Sequence, residues 1–182
     1  MDFTQRFRAI AKAYEAMPQG RTGDLAAERA YAAFARETEE QYLRIPVSVE
    51  PWPFGGQPYG NSREMFDDLD RDHLYVFTGG EDHPFLTRVQ NIKFRAVHDY
   101  FGHFLERNQF GPGGEFRAWQ AHCRMYSGEA IPALTAELLG QSCWFNFGPH
   151  AHLHPADRPY ADQKASLLPD AVWRPLLRQV RR

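Results

Sequence analysis

His98, Asp99, Gly102 and His103 fall within the six residues HDYFGH, the stretch of this chain best equipped for chemistry. Neutral imidazole is the commonest protein ligand for catalytic metals, and a neighbouring acceptor is needed to fix which ring nitrogen carries the proton. Two imidazoles flanking a carboxylate therefore point to a metal site; the alternative is a pair of core histidines satisfied by hydrogen bonds. On a continuous α-helix, side chains five residues apart lie about 140° apart at roughly 100° per residue, too far round to reach one ion. That spacing puts His98 at a helix entrance. Gly102, without a Cβ, leaves room for an ion, a substrate or another helix to come close.

Two histidines and one carboxylate leave open positions on an octahedral ion, the arrangement of non-haem Fe(II) oxygenases. The candidates for the carboxylate are Glu115, Glu129 and Glu137. Glu137 is favoured, because it sits among Leu134, Leu138 and Leu139, where an unpaired carboxylate would cost several kcal/mol unless ligated or hydrogen-bonded. Glu115 follows Gly113 and Gly114 at a helix start, where the helix dipole already accounts for an acid. It ranks second, in an orienting role with His122, which lies seven positions on and shares its face. Asp99 and His122 are expected to orient the ligands. Fe(II) is the expected metal, with zinc or manganese as alternatives.

The elements that must position these groups are mostly helical. Phe3, Phe7, Ile10 and Tyr14 make a helical stripe ended by Pro18 and Gly20, and a second helix runs from about Asp24, its cap, to Leu43. Residues 45–61, rich in Pro, Gly and aromatics, read as an ordered loop packed by Trp52, Phe54 and Tyr59. Leu74 to Phe77 is the best strand, with Val47 to Val49 as its candidate partner. Helices follow from Asn91 to about Glu106, Glu115 to about Tyr126 and Ile131 to about Trp144. The expected fold is mainly α, a single helical domain over 1–182 with a small β element. Its parts are an N-terminal helical pair (1–45), a loop and strand region (46–90), the metal-site helices (91–147), and a loop with a C-terminal helix (148–182).

A chain of 182 residues, 43% hydrophobic, is long enough to bury a real core, and a net charge of −2 makes no electrostatic case for nucleic acid. Arg174, Arg178, Arg181 and Arg182 accompany Trp173, Leu176, Leu177 and Val180, which reads as an amphipathic helix with a solvated basic face. Cys123 and Cys143 are too few for a disulfide framework and read as buried thiols. No apolar run reaches the roughly 20 residues of a membrane span, and the N-terminus has no export signal, so a cytoplasmic protein is expected. His150, His152 and His154 alternate in a Gly- and Pro-rich loop.

FRAVHDYFGHFL, followed some tens of residues later by ALTAELLG, resembles the catalytic core of the aromatic amino acid hydroxylases. There a His-acid segment ending in Gly-His supplies two iron ligands and a Glu on a later helix the third. The resemblance implies His98, His103 and Glu137 as ligands, with Asp99 where that family has Glu. It covers residues 74 to 141; the chain is much shorter than that family's catalytic domain, and no counterpart of its pterin-contacting segments is present, so a pterin is not implied. From Phe94 to Trp173, FRAVHDYFGH, GEFRAWQAH, MYSGEA, TAELLGQSCWFNFGPH and YADQKASLLP are also similar to an uncharacterised domain of phage and mobile-element proteins. That implies homology and a single fold and assigns no reaction.

A zincin would need two histidines four apart with Glu between them, and here the spacing is five with Asp. An HD-type phosphohydrolase would draw on His73 or His83, on His98 and Asp99, and on Asp157 or Asp162. A non-catalytic phage or mobile-element module, with a structural metal or a histidine cluster, is the third reading. The expectation these residues carry furthest is an Fe(II)-dependent oxygenase acting with dioxygen on a small organic, aromatic-type substrate. Tyr100, Phe101, Trp119 and Trp144 are candidate pocket residues, although aromatics at helical spacing are more often plain core.

Overall fold

A computed structural model describes residues 2–20, 23–80 and 82–180; Arg181 and Arg182 of the C-terminal basic cluster lie outside the described residues. The molecule is mainly helical, with one two-stranded sheet. Helix α1 (Phe3–Glu15) buries Phe7, Ile10, Ala11 and Tyr14 on one face. In α2 (Leu25–Tyr42), the carboxylate of Asp24 caps the free backbone N–H groups of Ala26 and Ala27.

Strands β1 (Ser48–Pro51) and β2 (His73–Val76) pair in parallel, with Val49 opposite Leu74. Parallel strands need a crossover, and α3 (Ser62–Leu69), capped by Asn61, provides it. This helix falls in the region expected to hold only loop and strand. Its sequence, SREMFDDL, buries Ser62, Met65 and Leu69, too short an apolar stripe to stand out among polar residues.

Thr87 and Gln90 form a reciprocal capping box that starts α4 (Arg88–Val97). The helix does not end at His98: it passes without a break into a π-helical segment, His98–Phe104. After a turn come α5 (Pro112–His122) and then α6 (Ile131–Leu134), a second π segment (Thr135–Gly140) and α7 (Gln141–Phe147) in unbroken succession. The chain closes with α8 (Asp170–Val180). No helix among the described residues is long and apolar enough to cross a membrane.

Two cores flank the first π segment. The larger gathers Tyr14, Phe34, Trp119, Leu134, Leu139 and Trp173 between α1, α2 and the later helices. The smaller holds Met65, Leu69, Leu74, Val76, Ala96 and Tyr100 between α3, the sheet and the first π segment. Trp119 and Trp144 belong to the first core and Tyr100 to the second, so these aromatics serve as packing and not as pocket walls. The Trp119 indole donates to Thr135 Oγ1 and that of Trp144 to Glu15.

Candidate metal centre

The π segment resolves the spacing problem posed by His98 and His103. In place of the α-helical four-residue ladder its bonds span five, as in Leu105 N–H to Tyr100 C=O at 3.0 Å. Residues five apart then fall on one face. His98 is thus at the junction of α4 and the π segment, inside a continuous helix, and not at a helix entrance as the α-helical geometry required.

The two Nε2 atoms lie 3.0 Å apart. Facing them across α5 is Glu115, with Oε1 3.3 Å from His103 Nε2 and Oε2 3.4 Å from His98 Nε2. Among the described residues these are the three His and acidic side chains whose ligand atoms converge to within 4.8 Å. His103 is buried, whereas the side chains of His98 and Glu115 keep 16% and 19% exposure, so one side of the group faces solvent. The donor set suits a divalent ion: two imidazole nitrogens each about 2.0–2.1 Å from one ion, at near right angles, are themselves roughly 3 Å apart.

The carboxylate that converges with the two histidines is Glu115, and Glu137, expected as the third ligand, stands elsewhere. Its Oε1 accepts hydrogen bonds from Tyr31 Oη (2.6 Å) and His83 Nε2 (2.9 Å), and its Oε2 one from Gln141 Nε2 (2.8 Å). His83 Nδ1 accepts the backbone N–H groups of Phe85 and Leu86, which places the ring proton on Nε2, aimed at Glu137. The expectation that burial forces a partner on Glu137 holds; the partners are hydrogen-bond donors. Glu129 is exposed.

Asn108, missed by sequence reasoning, ties the ligand-bearing elements together. Its carbonyl accepts His103 Nδ1–H (2.8 Å), which leaves Nε2 with a lone pair. Its amide donates to Gly102 C=O (2.8 Å) and accepts from Arg117 Nε of α5 (2.9 Å), two residues from Glu115. Arg107 delivers it by adopting left-handed backbone, φ 51°. Gly114 lets the same loop press onto α5, since a Cβ there would fall 1.6 Å from Gln109 C=O. A backbone carbonyl has no sequence signature; the one local clue is an Asn just beyond the end of a helix.

Electrostatics pull the cluster toward a charge-separated pair when no ion is bound. Burial alone would raise Glu115, but hydrogen bonding from His103 and His98, with their charge, holds it well below the usual carboxylate range. Burial would lower His103, and the Glu115 carboxylate overrides that and raises it. Burial pushes Asp99 up; its carboxylate hydrogen-bonds to neither imidazole, in contrast to the orienting role expected of it. His122, at the end of α5, is fully buried, and burial drives its pKa well below that of a free imidazole.

The remaining histidines stay apart from this group. His73 Nδ1 pairs with Asp68 Oδ2 at 2.8 Å, His83 serves Glu137, and His152 bonds Pro149 C=O. Asp162 accepts Gln19 on its carboxylate and Tyr14 on its carbonyl, and Asp157 sits in a short 3-10 turn. The histidine and acid set of a phosphohydrolase is thus not assembled among the described residues. Compared with known protein families, with curated proteins and with solved structures, the chain matches none.

Proposed function

We propose that the chain is a mononuclear non-haem iron protein of the oxygenase class, holding Fe(II) through His98, His103 and Glu115. The observation that carries this reading is the convergence of two Nε2 atoms and one carboxylate, with His103 Nδ1 already committed to Asn108 C=O. Three protein ligands and a solvent-facing side leave open positions, whereas a structural site is closed by four. Iron held this way supplies dioxygen activation toward an organic substrate. The chain's own residues hold the ion (His98, His103, Glu115) and fix the tautomer of a ligand (Asn108). The resemblance to aromatic amino acid hydroxylases agrees in the two histidines and differs in the helix that supplies the carboxylate.

One observation favours a second reading, a structural metal in a non-catalytic module. A surface cleft lined by Tyr31, Ala35, Phe85 and Gln90 beside α2 does not include the triad. Elemental analysis of anaerobically purified protein, with Fe(II) titration and oxygen-uptake assays on small aromatic substrates, separates the two. About one iron per chain with substrate-dependent oxygen consumption supports the oxygenase. Tightly held zinc without oxygen uptake assigns a structural site, and failure to bind any divalent ion removes both.

A further inference from the structure

Three buried imidazole nitrogens beside the histidine–carboxylate group make no hydrogen bond of good geometry: Nδ1 of His98 and both ring nitrogens of His122, whose ring lies close to the His98 backbone. Unpaired buried polar atoms are uncommon in folded proteins and call for a physical explanation. The two rings are neighbours, with centroids 5.6 Å apart and planes tilted by 36°. They also border one feature: a Cβ on Gly102 would lie 2.7 Å from His122 Nε2 and 3.1 Å from His98 Nδ1. Gly102, lacking a Cβ, therefore lets one nitrogen from each ring come close to the helix backbone. His122 is not in the group of converging ligand atoms; its ring neighbours that of His98.

We infer that His122 is the positioning residue for His98: its Nε2 accepts the Nδ1–H of the metal-bound His98, directly or through one water seated against Gly102. The inference rests on the metal-site reading. When His98 binds an ion through Nε2, the one proton of its neutral ring must sit on Nδ1, deep in the protein. Left unpaired there, that donor carries a desolvation penalty and the ring is free to turn. His103 has met the same need with Asn108 C=O, and His98 has no carbonyl so placed. A buried neutral imidazole is a suitable acceptor, and Gly102 is what admits it.

The test crosses two substitutions and reads zinc and Co(II) dissociation constants by competition titration, with thermal midpoints of the metal-free forms as folding controls. His122→Gln places an acceptor near the position of Nε2, while His122→Phe fills the space and offers none. A positioning role predicts affinity near wild type for Gln and a loss on the order of 10–100-fold for Phe. A spacer role predicts the reverse order, and Phe binding like wild type overturns the inference. Should His122→Phe fail to fold, wild-type protein loaded with zinc supplies the measurement. Long-range proton–nitrogen NMR correlations should put the His122 proton on Nδ1 and leave Nε2 bare; a proton on His122 Nε2, directed at the nearby His98 backbone, overturns it. If wild type binds neither ion, the metal-site reading itself falls. If wild type binds and the variants do not differ, this inference alone falls.

Discussion

Each of the two π segments carries a histidine–carboxylate cluster, and the clusters are built to opposite ends. Around Glu137, every polar atom has a partner: Tyr31, His83 and Gln141 donate to the carboxylate, and two backbone N–H groups fix the His83 tautomer. The side chains of His83 and Glu137 are buried to 0% and 2% exposure. Around Glu115, the carboxylate, itself only partly enclosed, is shared by two histidines, and three imidazole nitrogens nearby lack partners. A satisfied buried network rigidifies a fold, whereas an unsatisfied one that persists in a folded protein implies something that completes it. The comparison separates a carboxylate whose hydrogen bonds are complete, on a π segment, from one on α5 that converges with two histidines of the other π segment.

The largest effect expected from breaking that contrast is on metal binding. Glu115→Ala should abolish stoichiometric uptake of Fe(II) or Co(II), as should His98→Ala and His103→Ala, while Glu137→Ala leaves the stoichiometry at one ion per folded chain. Isothermal titration against each purified variant measures this. Retained binding in Glu115→Ala with loss in a folded Glu137→Ala would reverse the assignment of the carboxylates.

That assignment marks where the sequence stops being informative. The histidine pair, most of the helices and the two strand partners, though not their parallel sense, were legible because each rests on local spacing or on apolar pattern. The choice between Glu115 and Glu137 was not. Glu137 was rightly singled out as an acid that cannot stand unpaired among leucines, yet its partners Tyr31 and His83 lie 106 and 54 residues away in the chain. Glu115 looked fully explained by the helix dipole. Its role emerges only when α5 packs across the π segment, and an α-helical reading of HDYFGH could not have foreseen that segment. A π turn shifts side-chain phase without a change in composition, so nothing in residue type announces it.

Second in size is the stability effect on the other cluster. Glu137→Ala leaves three donors buried without an acceptor and should cost about 3–5 kcal/mol in urea unfolding of the metal-free protein. Tyr31→Phe removes one donor to the same oxygen and should cost about 1.5–3 kcal/mol. Neither should alter metal affinity in the folded state. A Glu137→Ala variant as stable as wild type would mean that the donors find other partners, and the structural half of the comparison would fail.

Smaller again is the coupling through Asn108. Asn108→Ala keeps the backbone carbonyl that holds His103 but loses the amide bonds to Gly102 and Arg117, so the two ligand-bearing elements are no longer clamped. Metal affinity should fall by about 10-fold, the lower end for outer-shell partners, with fold and stoichiometry intact. An unchanged dissociation constant would show that packing of α5 alone sets the distance from Glu115 to the histidines.

The smallest effect provides a control on the meaning of a histidine–carboxylate pair in this molecule. His73 and Asp68 form a third such pair, 2.8 Å apart at the side of the sheet, with no second histidine and with Tyr59 as a further donor to the carboxylate. Burial opposes ionisation of Asp68, but the hydrogen bonds from Tyr59 and His73 outweigh it and hold its pKa below the usual value. A carboxyl depressed in the folded state contributes stability that is complete above its unfolded pKa, about 3.9, and is lost as pH falls through the folded value. Asp68→Asn should therefore lower stability by about 1 kcal/mol at neutral pH. The gap to wild type should close below about pH 4 as the wild-type carboxyl takes up its proton. Chemical unfolding of both proteins across that range measures it, and added Fe(II) should leave the gap untouched. A gap that widens with metal would make this partly exposed pair a ligand site as well, and proximity of histidine to carboxylate would then cease to distinguish the Glu115 cluster; the convergence of two Nε2 atoms would have to carry the distinction alone.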